Sequence, residues 1–484
     1  MSKLGAPGVG LSTLGNYALV AGQALRTLIL ARLMGPASFG ILNAANVAAS
    51  FTPQSDLGCG RIGEQHASHA RGLGDLEATR RWLIDAAGAR MAPALVVAGV
   101  LFVLAALTAL FGDSTTMAVI LAFVAISAPL QSAWWAVMGW RRVHGEFRAV
   151  AHGQLGQVAI WLTVVPLVAW QFGLHGAFVA MAASFIPPVL ITGRGLPLGL
   201  LLRPRWGPFR HLVRDGLPVW FIFATTFLFT NVDQFLAGIL GGPEWLGYLS
   251  IATLTASALL AFSDGAAAAA HPRTLEHFAA HGRLGVDTPS ITRVMHVTQA
   301  AFAALVPLSW LGMGVVTILF LHQYAASLPL VALLGAAASL VGTTTASNST
   351  LLAVGLHRRV PLLFLLASAV RLGVALGVSR FGAGLTSIGI GAAAAALLFA
   401  LTYLFLVTLA LGLRGRAALG FVVDQVLGSA LLVAGAGVAS WAWLAAGTTG
   451  FLVASAGVLV VVCAVQAVAW FGWRRSPAMS NAAA

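Results

Sequence analysis

The run Arg26-TLILARLMGPASFGIL-Asn43 recurs 207 residues later as Asp233-QFLAGILGGPEWLGYL-Ser250. In one register Gly35 falls on Gly242, Pro36 on Pro243, Gly40 on Gly247, and Arg26 on Asp233. A duplication of this length inside an apolar chain indicates two helical bundles arranged about a central site. The exchange of Arg26 for Asp233 places opposite charges at corresponding depths of the two bundles.

Composition fixes the solvent in which those bundles live. Hydrophobic residues make up 59% of the chain and charged residues 8%, with a mean hydropathy of +0.90. A soluble domain carries about 25% charged residues, so the chain reads as an all-α, polytopic membrane protein. The net charge of +13 is distributed between apolar runs. Its expected partner is therefore the lipid bilayer surface and not nucleic acid. Cys59 and Cys463 lie in or beside apolar runs, which indicates neither a disulfide framework nor a metal cluster. No cofactor is expected, and no cleavable signal peptide is read before the first span.

A membrane-crossing helix needs about 20 apolar residues. That rule predicts fourteen spans: 11–33, 38–60, 91–110, 116–138, 150–171, 174–193, 216–240, 246–270, 294–320, 328–354, 360–379, 384–411, 420–445 and 450–472. Alternate connections are rich in arginine, and together with Lys3 they hold 23 of the 27 basic residues on one side. The positive-inside rule then puts both termini in the cytoplasm. The opposite side has only short connections such as 111–114, 241–245 and 445–450.

Spans 1–6 and 7–12 run in parallel. Ser55-Asp56 is matched by Ser263-Asp264, and Phe172-Gly173 by Phe381-Gly382. Six spans is an even number, so the copies share one orientation and form a parallel repeat. The expected organisation is a six-helix bundle over 1–200, a second over 216–412, and two extra helices with a tail over 413–484. Residues 194–215 read as the connection between bundles, with an interfacial helix in 196–212.

A charge in the middle of the bilayer costs roughly 3 kcal/mol or more, so each one requires a reason. Arg26, with Asn16, Gln23 and Thr27 on roughly its face, marks span 1; Asn43 and Asn46 mark span 2. Gln154, Gln157 and Trp161 lie at helical spacing on span 5. Asn231, Asp233 and Gln234 mark span 7, and Arg371 stands at mid-depth in span 11. As substrate-binding residues these nominate Arg26, Arg371, Gln23, Asn16, Asn46 and Asn231, with Asp233 as the ion-coupling or gating group. Simpler readings stand beside these. Arg26 and Asp233 can neutralise each other as a structural pair. Arg371 can take the same aspartate or backbone carbonyls. The amides can serve as interhelical hydrogen bonds. Asp56, near the end of span 2, reads as a solvated cap or a partner for Arg61.

A membrane enzyme such as a polysaccharide polymerase is the second reading, and it finds little support: such an enzyme would be expected to carry a large outer loop with arginines or histidines, and none is read here. There is no H-E-x-x-H, Walker A or triad-like pattern. The G-x-G-x-x-G at Gly58–Gly63 follows a membrane span instead of a strand, and reads as a chance match.

The segment Ala31-Arg32-Leu33-Met34-Gly35-Pro36-Ala37-Ser38-Phe39-Gly40, followed by Asp56-Leu57-Gly58, resembles the polysaccharide transporter (Wzx-type) family. That family belongs to the multidrug, oligosaccharidyl-lipid and polysaccharide exporter superfamily. The family's pattern is R-x-L-G-P-x-x-F/Y-G, in which Met34 stands here for the leucine. The resemblance covers roughly 1–412. It implies an undecaprenyl-diphosphate-linked oligosaccharide as substrate, moved across a bacterial inner membrane by alternating access coupled to an ion gradient. It also implies a polysaccharide polymerase and a chain-length regulator as partners. Fourteen spans depart from the twelve of many Wzx-type members and are similar to the lipid II flippases. Multidrug exporters of the superfamily usually carry an acid in span 1, where this chain has Arg26.

Overall fold

The computed structural model describes the backbone of residues 6–474 apart from 113, 282–287 and 346. Side chains are described at 15, over 17–263 and over 291–466, apart from 113, 346, 349, 352 and 353. Every regular element among these residues is helical. The helices are α1 (Ala6–Phe51), α2 (Cys59–Gly72), α3 (Leu76–Phe111), α4 (Thr115–Val143), α5 (Phe147–Leu162), α6 (Val164–Ala183), α7 (Ile186–Gly193) and α8 (Leu198–Leu201). They are followed by α9 (Trp206–His281), α10 (Thr288–Leu319), α11 (Leu328–Thr345), α12 (Asn348–Val354), α13 (Val360–Ser379), α14 (Thr386–Ala410) and α15 (Gly415–Arg474).

Ten stretches are long and apolar enough to cross a membrane. Four of them are broken, at Gly35, Gly173, Gly242 and Ala446-Gly447, which gives fourteen legs among the described residues once α5 is joined to the short leg before Gly173. The breaks turn the chain back on itself. A Cβ at Gly176 would lie 2.5 Å from the carbonyl oxygen of Val168, and one at Gly435 would lie 2.6 Å from Val458. In straight helices those pairs would be about 12 and 34 Å apart.

The duplicated stretch makes one of these turns in each copy. Gly35 has φ 74° and ψ 169°, and Gly242 has φ 71° and ψ −157°. Side chains with a Cβ scarcely enter this region, and holding one there costs about 1–3 kcal/mol. The following Pro36 or Pro243 starts the next leg, where a helix has no use for the missing N–H. Gly35→Ala is therefore expected to lower the unfolding free energy by about 1–3 kcal/mol. Gly99→Ala, at a helical position with open space around it, should be near neutral in the same thermal melts. Equal melting of the two variants would contradict this account of the turn.

The chain forms two compact units, Met1–Phe227 and Leu228–Ala484. The division falls inside α9 and not in the 194–215 connection, because that connection is fastened to the first unit. The Arg205 amide donates to Gly88 O at 3.0 Å, and its guanidinium pairs with Asp85 at 3.0 Å. Arg141 donates to Thr192 O at 2.8 Å, and Leu201 is buried among Leu83, Ile84 and Trp140.

In the second unit α11 is almost wholly buried, packed by α10, α14 and α15. Its core joins Leu236 and Leu249 of α9, Phe302 and Trp310 of α10, and Phe451 of α15. The two C-terminal legs therefore belong to this unit's core. The side chain of Asp264 lies outside the described residues.

Candidate functional site

Within the first unit, small residues on α1 decide where Arg26 goes. A Cβ at Gly22 would lie 2.7 Å from Val158, and one at Gly15 would lie 2.5 Å from Gln154. Glycines at these positions bring α1 close against α5, as small residues do in membrane bundles. One helical turn past Gly22, Arg26 meets Trp161, one turn past Val158. The guanidinium carbon lies 4.5 Å from the indole ring, a cation–π contact, and Arg26 is only 8% exposed. The indole is itself held: Trp161 Nε1 donates to Ser184 Oγ at 3.0 Å, and Ser184 Oγ donates to Met181 O at 2.6 Å. Arg26 has no carboxylate partner among the described residues, and its Nε has no hydrogen-bond partner. Gln154 and Gln157 are buried on the α5 face that bears Trp161.

The other nominated residues of this unit are placed differently. Gln23 is exposed, because the packed face of α1 runs through Gly15, Gly22 and Arg26 and position 23 is turned about 100° from it. Asn46 is half-buried on the second leg of α1. The side chain of Asn16 lies outside the described residues.

In the second unit, α9 and α13 bring Asp233 and Arg371 together as a buried ion pair, Asp233 being 1% and Arg371 8% exposed. A second donor of Arg371 reaches Phe229 O at 2.8 Å, and its guanidinium carbon lies 5.5 Å from the Phe229 ring. That ring packs against Phe364 and Phe399. Arg371 thus takes both partners anticipated for it, the aspartate and a backbone carbonyl. The partner of Asp233 is an arginine of its own unit. The pair is incompletely satisfied: Asp233 Oδ1 and Arg371 Nε are buried without hydrogen bonds. Asn231 is half-buried and donates to Thr230 Oγ1 at 3.0 Å.

A third cluster, on the arginine-rich side of the first unit, was not anticipated. Asp56 is not a solvated cap, and its partner is not Arg61. It is 4% exposed and accepts from the amides of Gly58 at 2.8 Å and Gly60 at 3.1 Å, which caps the start of α2. It also accepts from Arg90 Nε at 3.0 Å, while Arg90 Nη1 approaches Glu64 at 3.4 Å. The glycines of the G-x-G-x-x-G run are packing positions. A Cβ at Gly58 would strike the Gly216 backbone, one at Gly60 the Arg90 guanidinium, and one at Gly63 Ala86. Cys59, buried beside this network, has its thiol pushed up to about 12, first by burial and then by the Asp56 carboxylate. That makes it an inert core residue.

Compared by sequence, the chain matches no family profile and no curated protein. Compared by structure, it is similar to the lipid II flippase MurJ in an inward closed conformation. The TM-score is 0.63 at 11% identity, covering 95% of this chain and 98% of that one. It is also similar to an inward-facing multidrug resistance MATE family transporter of the MOP superfamily, with TM-score 0.57 and 16% identity over 84% and 96% of the two chains. The eukaryotic MATE transporter AtDTX14 gives 0.52 and 15% over 86% and 97%. The chain therefore has the fold that these proteins share. The unmatched twentieth in the MurJ comparison is far shorter than α15, so part of α15 falls within that likeness.

Proposed function

We propose that this chain is a flippase that moves a polyprenyl-diphosphate-linked oligosaccharide across the inner membrane for surface polysaccharide synthesis. The observation that carries the reading is Arg26: a cation buried in a membrane-crossing leg, held by an aromatic face and without a carboxylate partner among the described residues. A fixed, desolvated guanidinium is costly to keep unless it meets an anion during the working cycle. A diphosphate is such an anion, and the planar fork of arginine suits its oxygens. In this reading Arg26 receives the diphosphate, and Asp233, with one carboxylate oxygen unbonded, takes the coupling ion. The bundles over 1–200 and 216–412 alternate access, and the glycan passes to a polymerase and a chain-length regulator.

Two alternatives share the fold. A lipid II flippase handles the same headgroup chemistry and is favoured by the fourteen legs and the MurJ coverage. A multidrug exporter taking cations is disfavoured by Arg26, a buried cation in the first membrane leg where an acid would be expected. Deleting the gene separates the three readings. Loss of surface polysaccharide with accumulation of its lipid-linked precursor is the expected outcome. Lysis with lipid II accumulation would indicate the first alternative, and sensitivity to cationic dyes alone the second.

A further inference from the structure

The recess on the arginine-rich side of the first unit contains two exposed arginines that form no salt bridge among the described residues. The recess has a volume of about 140 Å³ and lies between the turn Thr52–Asp56 that follows α1, α2, α3, α4 and the first part of α9. Its wall holds three guanidinium groups against two carboxylates. Both carboxylates are engaged by Arg90. Neither Arg61 nor Arg142 forms a salt bridge among the described residues, and Arg142 feels the Glu64 carboxylate only through space.

Both are nevertheless held in place. The guanidinium carbon of Arg61 lies 4.4 Å from the Phe223 ring, and that of Arg142 lies 5.7 Å from the ring of Trp135. A guanidinium stacked on a ring uses its face and leaves its in-plane N–H donors free. One such donor of Arg142 makes a weak contact with Met138 Sδ at 3.6 Å. The other donors of the two arginines remain for a ligand. The usual anion site at the start of α2 is already filled by the Asp56 carboxylate, so a bound anion would fall to the arginines.

We infer that this recess is a phosphate-binding site in which Arg61 and Arg142 grip one anionic group, and that it captures the diphosphate headgroup before transport. Phe223 and Trp135 preorganise the two forks, and Arg90, neutralised by Asp56 and Glu64, braces the wall. As a capture site for the headgroup it rests on the flippase reading; as a site for a free phosphate or diphosphate it does not.

The test uses the full chain in lipid nanodiscs, titrated separately with inorganic pyrophosphate and with a sugar-free polyprenyl diphosphate. Wild-type protein is expected to bind both. The Arg61→Gln/Arg142→Gln double variant should bind each at least about tenfold more weakly, the loss of one charge-assisted hydrogen bond or more. Arg61→Lys keeps the charge and loses the fork, and a severalfold weakening is expected of it. It serves as the measure if the double variant does not elute as a single folded species. If the variants bind polyprenyl diphosphate as wild type does, the recess assignment is overturned and the flippase reading stands. If pyrophosphate binds through these arginines and the lipid does not, the recess stands as a free-anion site and the flippase reading falls. Binding of neither ligand by the wild type overturns both.

Discussion

Asp233→Ala should destabilise the protein by about 3–5 kcal/mol, because it leaves Arg371 charged, buried and without its carboxylate. The remaining bond from Arg371 to Phe229 O orients the guanidinium but does not neutralise it. Arg371→Ala should cost a similar amount by stranding Asp233. The double replacement Asp233→Leu/Arg371→Met should recover most of the loss. A buried pair is worth little against well-packed apolar residues, whereas breaking it is expensive. The pair's unsatisfied atoms, Asp233 Oδ1 and Arg371 Nε, sharpen that expectation. Thermal melts of the four proteins in one detergent read this as a cycle. Single variants that melt like wild type, or a double variant worse than both, would show that the pair is not the constraint described.

Arg26→Ala should do the reverse. Arg26 has no carboxylate among the described residues, so its removal strands no partner charge, and the variant should melt at or above the wild-type temperature. Transport of a diphosphate-linked substrate should fall at least about tenfold, since a charge-assisted hydrogen bond contributes about 1.5–3 kcal/mol. Arg26→Lys keeps the charge but loses the planar stack on Trp161, and should be intermediate. Raised stability with lost transport is the signature of a group held for a ligand; lowered stability with transport intact would mark Arg26 as structural.

The features legible in the sequence are those with local physical signatures. Gly35-Pro36 and Gly242-Pro243 declare turns because only glycine reaches that backbone region and proline favours a first helical position. Fourteen apolar runs declare membrane legs by length alone. Arg26, Asp233 and Arg371 stand out because charge is rare in such runs. Partners are another matter, since they are set by which helices pack. Asp56 meets Arg90, 34 residues away on α3, and not the nearby Arg61. Gln23 and Arg26 are three residues apart, yet one is exposed and the other buried, because glycines at 15 and 22 choose the packed face. The G-x-G-x-x-G run illustrates the same limit: its spacing carries no ligand information, and its purpose is visible only once Gly216, Arg90 and Ala86 lie against it. Arg61 and Arg142 lie 81 positions apart in arginine-rich connections and resemble surface charge until the recess joins them.

The most direct measurement reconstitutes the purified chain in sealed vesicles that carry a fluorescent polyprenyl-diphosphate-linked sugar, and follows quenching of the headgroup from outside. Wild-type protein should move the headgroup between leaflets, and Arg26→Ala, equally folded and equally inserted, should do so at least about tenfold more slowly. Wild-type vesicles that leave the headgroup in place while expelling a cationic dye, or an Arg26→Ala protein that matches the wild-type rate, would contradict the account.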